Sequence, residues 1–311
     1  MSPLRAAVDE YLAMRRALGF KLEGVGYALR SFVAFAEREG VEFITTDLAL
    51  RWATAPAQAQ PHRWASRLGA VRRFARHHHA ADARTEIPPD GLLRHSYRRK
   101  QPYIYSDEEI DKLLVAARAL SSPSELSGHT YTTLFGLLSV TGMRLGEALG
   151  LDRDDVDLQT GVLTVRHAKF GKTRFVPIHP TTCGALDRYA RHRDLMFPAL
   201  DTRAWFVSEK GTRITKGMAE RMFCVLSHDI GLRGPTERRW PRIHDFRHSF
   251  AVRTLLSWYR TGLDVERKIA HLATYLGHVE VRDTYWYLSA TPEILLWAAR
   301  RLDAPQMGGG A

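Results

Sequence analysis

The chain has 311 residues, 45% of them hydrophobic, and 45 Lys and Arg stand against 34 Asp and Glu for a net charge of +11 and a pI near 9.9. That length accommodates two cores, and the positive balance favours polyanionic partners, nucleic acid first. The two cysteines, Cys183 and Cys224, have no metal-ligand spacing, no apolar run reaches the roughly 20 residues of a membrane span, and the first residues lack a secretory signal, so a cytoplasmic protein without a disulfide framework or zinc site is expected.

From Leu4 to about Ala81, apolar residues recur at three and four in LRAAVDEYLAMRRALGF, in YALRSFVAFAERE and around Trp64, Leu68 and Val71. This spacing predicts about four helices, punctuated by Gly19, Gly40 and the run from Thr45 to Asp47, with Asp47 and Pro61 as helix starts. Between Arg84 and Pro102 the periodicity vanishes: Pro88 and Pro89 adjoin, and the basic run RHSYRRK follows. An N-terminal helical domain at residues 1–95 and a linker at 96–102 are therefore expected. Residues 1–100 hold 17 basic against 10 acidic side chains, +7 of the chain's +11. That concentration suits a surface gripping a polyanion, and Arg72, Arg73 and Arg76 on the last helix, with Arg98, Arg99 and Lys100 in the linker, are the expected DNA-facing cations. His77, His78 and His79 are not read as a metal site, because consecutive side chains on a helix point in different directions.

A second domain is expected over residues 103–302, followed by a disordered, glycine-rich tail at 303–311. Its first helix is signalled by YSDEEIDKLLVAARAL, where Ser106 and Glu109 have capping-box spacing. Helix is predicted again from His129 to Leu151. Asp152, Asp154, Asp155 and Asp157 then read as a solvated turn, and GVLTVRHAKFGKTRFVPI, alternating on both sides of KFGK, reads as a hairpin. The remainder is helical apart from the short apolar run AWFVS. The fold class is mainly α (α+β): a helical bundle, then a mixed, mainly helical domain with a small antiparallel sheet.

Three segments of this second domain carry side chains suited to phosphate chemistry. In TGMRLGEALGL, Arg144 follows a glycine turn, where a guanidinium can offer paired donors to a phosphate, although a pair with Glu147 at helical spacing accounts for a lone arginine at least as well. In PRIHDFRHSFAVRTLL, Asp245 reads as an N-cap that sets His244 and Arg247 three apart beside free backbone N–H groups. In HLATYLGHVEVRDTYWYL, His278 follows a glycine, and Tyr285 and Tyr287 follow it. Cutting DNA without metal or ATP demands a nucleophile, cations on the non-bridging oxygens and an acid for the leaving sugar oxygen, and the second domain offers each.

Taken in order, TGMRLGEALGL, a lysine in the hairpin, HDFRHS, LGH and a final tyrosine resemble the tyrosine recombinases, the family of phage integrases, chromosome-dimer resolvases and transposon-encoded integrases. The resemblance spans about Tyr103 to Leu296. It implies that Arg144 and Arg247 grip the scissile phosphate, that His244 and His278 hydrogen-bond it, with His244 assisting deprotonation, and that Tyr287, nine residues after His278, is the nucleophile rather than Tyr285. Aligning RFVPI with the family's pattern puts Lys169 in the role of general acid for the departing 5′ oxygen. Phe170 stands where the family often has glycine, so Lys172 stays open as a substitute and as a DNA contact. The resemblance further implies a site-specific integrase acting through a covalent 3′-phosphotyrosyl intermediate, with no cofactor, metal or ATP. It also implies double-stranded DNA targets held in a C-shaped clamp between a core-binding and a catalytic domain, a homo-tetramer on DNA, and accessory recombination proteins. The helical segment with Ile294, Leu295 and Trp297 either joins neighbouring subunits, as is common in the family, or packs in its own. The wording DTYWYLSATPE leans toward the transposon-encoded members. Two rivals are a type IB topoisomerase relaxing DNA as a monomer, and a catalytically idle DNA-binding regulator on the same fold.

Overall fold

The computed structural model describes residues 2–93, 101–166, 173–233, 240–289 and 291–303. The chain divides into two compact units, residues 1–100 and 101–311. Five of the seven residues expected as a linker, 96–100, lie outside the described residues, as do residues 304–311 of the expected tail.

In the first unit, α1 (Pro3–Ala17), α2 (Glu23–Arg38), α3 (Thr46–Thr54) and α4 (Pro61–His78) follow the apolar periodicity. Proline opens α1 and α4, where its missing N–H costs nothing, and Thr45 caps α3 by accepting from Leu48 N at 3.1 Å. Asp47 thus lies inside the first turn rather than starting the helix. One core holds Leu12, Phe32, Trp52 and Phe74, with the Phe32 and Trp52 rings edge to face at 5.4 Å. The aperiodic stretch after α4 is structured: Glu86 N donates to Ile44 O, Thr46 N donates to Glu86, and Arg72 donates to the Pro88 and Pro89 carbonyls. Pattern-free sequence here marks chain pinned from outside, by partners about 15 to 40 residues away, and not free linker.

The second unit opens with α5 (Asp107–Arg118), whose capping box has Glu109 N donating to Ser106 Oγ and Ser106 N donating to Glu109. The helix predicted from His129 to Leu151 divides into α6 (Leu126–Thr141) and α7 (Leu145–Leu149), because Gly142 takes a left-handed φ of +60°. β1 (Val156–Asp157), β2 (Val162–Val165) and β3 (Arg174–Pro177) form an antiparallel sheet in that order, with Leu163 facing Val176 and Val165 facing Arg174. Leu163, Val165 and Val176 point into the main core. The aspartates before the sheet do form a turn, but not a wholly solvated one: Asp155 is buried and accepts from Asp152 N and Arg166.

α8 (Pro180–Met196), α9 (Lys216–Asp229), α10 (Asp245–Arg260), α11 (Val265–Leu276), the short α12 (Arg282–Tyr285), a 3-10 turn at Trp286–Ser289 and α13 (Pro292–Asp303) complete the unit. In AWFVS, Ala204, Trp205, Phe206 and Val207 are buried, and the segment is bridged to Asp152 and Arg213. Within α13, Ile294 is buried in a core with Leu255 and Tyr287, and Trp297 packs against it, whereas Leu295 and Leu296 are exposed. No described helix is long and apolar enough to cross a membrane.

Candidate active site

Two glycine helix ends build the frame. α6 stops at Gly142 and α11 at Gly277, each with positive φ, and their turns leave carbonyls facing inward. Arg247, in the first turn of α10, donates to Gly142 O at 3.0 Å and to Leu276 O at 2.6 Å. Arg144, the residue before α7, donates to Gly277 O at 3.1 Å. Positions 144, 247 and 277, far apart in sequence, are thereby tied together.

Glu147 is the charged partner. Its carboxylate accepts from Arg144 Nη1 at 2.7 Å and Arg144 N at 2.9 Å, and from both terminal nitrogens of Arg174 at 2.9 and 2.8 Å. The local pair expected for a lone arginine therefore exists, but as one half of a buried bridge reaching to β3. Burial alone would raise the Glu147 pKa; the hydrogen bonds and charge of Arg174, with Arg144, outweigh it and hold the group at about 2. Two guanidinium groups bond this single carboxylate and that of Arg247 lies near it, so the cluster keeps an excess of positive charge. Arg144 is about a third exposed and Arg247 fully buried. Burial, then the Arg144 charge, lowers Arg247 to about 10, and it stays cationic at neutral pH. Such a frame suits a tetrahedral oxyanion.

The histidines and tyrosines gather beside it. His244 keeps an open edge to solvent, yet packing around its ring and then the charge of Arg247 lower its pKa to about 4, leaving it neutral. Asp245 is not the N-cap: it is the first residue of α10, and its buried carboxylate accepts from Arg242 N at 2.8 Å, fastening the turn before the helix. His278 Nδ1 lies 2.6 Å from Thr284 Oγ1, which fixes its ring alongside Tyr287 with centroids 6.2 Å apart. Tyr287 is buried, and its hydroxyl meets His248 Nδ1 at 2.9 Å; Tyr285 is 48% exposed.

The structure thus brings Arg144, Arg247, His244, His278 and Tyr287 into one cluster. It adds Glu147, Arg174 and His248, which sequence reasoning did not place in the site. Arg174 and His248 sat inside the quoted segments RFVPI and HDFRHS, but only their distant partners give them a role. Lys169 and Lys172 lie outside the described residues.

Of the expected DNA-facing cations, Arg98, Arg99 and Lys100 also lie outside the described residues. Arg73 and Arg76 are exposed on α4, Arg76 with a bridge to Asp90 at 2.8 Å. Arg72 is different: its guanidinium is mostly covered, bonded to Pro88 O and Pro89 O and paired with Asp90, so its donors serve its own unit. His77, His78 and His79 turn to separate partners: the Tyr11 ring, the Phe74 ring and the Thr85 carbonyl.

The sequence model of the phage integrase family matches residues 104–293. Over 97% of the chain and 98% of the relative, it is 49% identical to a Sinorhizobium fredii protein named "Putative integrase/recombinase y4rB". It is 29% identical to the tyrosine recombinase XerD of Neisseria meningitidis over 66% of this chain and 64% of that one. Among solved structures, the Tn1549 transposon integrase in complex with transposon right end DNA has the same fold, with a TM-score of 0.68 over 96% of this chain and 99% of that one at 16% identity.

Proposed function

Because this chain belongs to the phage integrase family and is a tyrosine-type site-specific recombinase, we propose that it cuts and rejoins double-stranded DNA through a 3′-phosphotyrosyl bond to Tyr287. The observation that carries the reading is the frame in which Arg144 and Arg247 are each held on the carbonyls of a glycine turn, with Tyr287 and His278 beside them. A phosphate seated there receives guanidinium donors that need no rearrangement as charge builds on its oxygens. Arg144 is the arm that reaches solvent and substrate; Arg247 supplies fixed positive charge from behind. His244, held neutral, and His278 serve as hydrogen-bonding groups at the phosphate.

Attack by the Tyr287 oxygen forms a P–O bond to tyrosine and breaks the P–O5′ bond, and the departing 5′ oxygen takes a proton, with Lys169 the proposed donor. The new phosphodiester is as energy-rich as the old one, so attack by another 5′ hydroxyl reseals DNA without ATP, and the guanidinium groups supply the charge a metal would otherwise bring. Recombination between two sites in this way implies four subunits on DNA, a cytoplasmic enzyme and accessory recombination proteins. Members encoded by transposons are the subgroup that DTYWYLSATPE favours.

A nicked suicide substrate, from which the short 5′-hydroxyl fragment diffuses away, traps the intermediate. Tyr287→Phe should bind DNA and give no covalent adduct on denaturing electrophoresis, while Tyr285→Phe should still give one. An adduct that persists in Tyr287→Phe, or one mapped to Tyr285, overturns the assignment.

A further inference from the structure

The resemblance pointed to His244 as the aid to deprotonation, yet the described geometry brings a different ring to the phenol oxygen. His248 Nδ1 is 2.9 Å from Tyr287 Oη, and both residues are buried, at 6% and 1% exposure. His244 meets His248 edge to face, with centroids 4.8 Å apart, and takes no described hydrogen bond from Tyr287. We propose that His248 is a catalytic residue: its Nδ1 accepts the hydroxyl proton of Tyr287 as the phenol oxygen attacks phosphorus. This rests on the reading of Tyr287 as the nucleophile.

Three features support it. The distance is that of direct proton transfer, with no water needed between. The His248 ring is locked: it sits one residue after the immobilised Arg247, packs edge to face on Trp286 at 5.5 Å and is tilted against Tyr287 at 5.5 Å, so Nδ1 stays aimed at the hydroxyl. The charge around it is right for the purpose. His248 faces His244, at the entry to its helix, and Tyr287, from the segment after α11, with His278 also alongside that ring; Arg247 adjoins it in the chain, with Arg144, Glu147 and Arg174 nearby. A phenolate forming among guanidinium groups is stabilised, and the imidazole nitrogen of His248 is placed to take its proton. The step balances: the O–H proton passes to Nδ1, the oxygen electron pair forms the P–O bond, and the P–O5′ bond breaks with its pair on the 5′ oxygen. In resealing, the imidazolium returns the proton to the departing phenolate.

The test uses the full chain and the nicked suicide substrate. In His248→Asn the amide oxygen takes the place of Nδ1 as a hydrogen-bond acceptor but does not accept a proton. Adduct formation at neutral pH should fall by about a hundredfold, within the usual range for a lost general base, with DNA affinity and melting temperature unchanged. Site-specific replacement of Tyr287 by a fluorinated, more acidic tyrosine in the His248→Asn background should restore most of the rate, because less proton-accepting help is then needed. It should also move the rise of rate with pH to lower pH. A rate in His248→Asn equal to or above the unaltered rate overturns the proposal and makes the contact a restraint on the tyrosine. A loss that the acidic tyrosine does not restore also overturns it, leaving a packing role. An unaltered enzyme whose adduct maps away from Tyr287 would instead show that the nucleophile assignment had failed, a separate result.

Discussion

Glu147 shows how a single buried carboxylate governs a cationic site. Its folded pKa of about 2 lies below the ordinary 4.5, so the stabilisation it contributes is complete above about pH 5 and is lost as the pH falls toward 2. The gain is on the order of 3 kcal/mol. Glu147→Gln should lower the melting temperature at neutral pH and flatten the acid limb of the stability profile in thermal melts at pH 3 to 7; parallel profiles for the two proteins would contradict the bridge. Removing a guanidinium of the frame acts on rate as well. Arg144→Ala or Arg247→Ala should cost a hundredfold or so in adduct formation, as losing a charged transition-state donor does elsewhere, with DNA binding largely retained. Near-normal cleavage by either would mean the arginine is misplaced. The main candidates were legible because each stands in a compact segment of distinctive order. Glu147, Arg174 and His248 were not, because their partners lie 27 to 39 residues away in sequence and a local reading sees only an ordinary side chain.

At the scale of elements, helix ends place the chemistry. Gly142 has φ +60°, and a Cβ there would come 2.7 Å from the Phe250 ring. Gly142→Ala combines left-handed strain, about 1 kcal/mol or more, with that clash, and displaces the carbonyl that holds Arg247. Both the melting temperature and the cleavage rate should fall, whereas Gly24→Ala in the first turn of α2, with open space around it, should leave both nearly unchanged. Equal behaviour of the two variants would count against the frame. The period of three and four, the capping box at Ser106 and the hairpin alternation were readable as local properties. The glycine turn before Arg144 was readable too, but not that its carbonyl would hold Arg247, a residue 105 positions away. α6 gave little stripe to read because it is apolar on nearly every side, packed between α5, α8 and α10.

Over the whole molecule, +7 of the +11 charge lies in residues 1–100, and the structure separates cations that face outward from one that does not. Arg73→Ala with Arg76→Ala should weaken DNA binding and lower the salt slope by up to about 2 in an anisotropy titration. Arg72→Ala should chiefly reduce the melting temperature of the first unit by releasing the Pro88–Asp90 segment; an unchanged melt there would refute that role. The two-unit organisation also has a temporal side. The core of Leu12, Phe32, Trp52 and Phe74 is drawn wholly from the first 93 residues, so it can close while synthesis continues. The second unit must wait, because Tyr105 at its start donates through N to Ser249 and through its hydroxyl to Arg242, partners about 140 residues downstream. At ordinary translation speeds that delay is roughly ten seconds or longer. Tyr287 emerges later still, so an interrupted chain ends as a folded bundle with no means of breaking DNA, and never as a nuclease lacking its restraints.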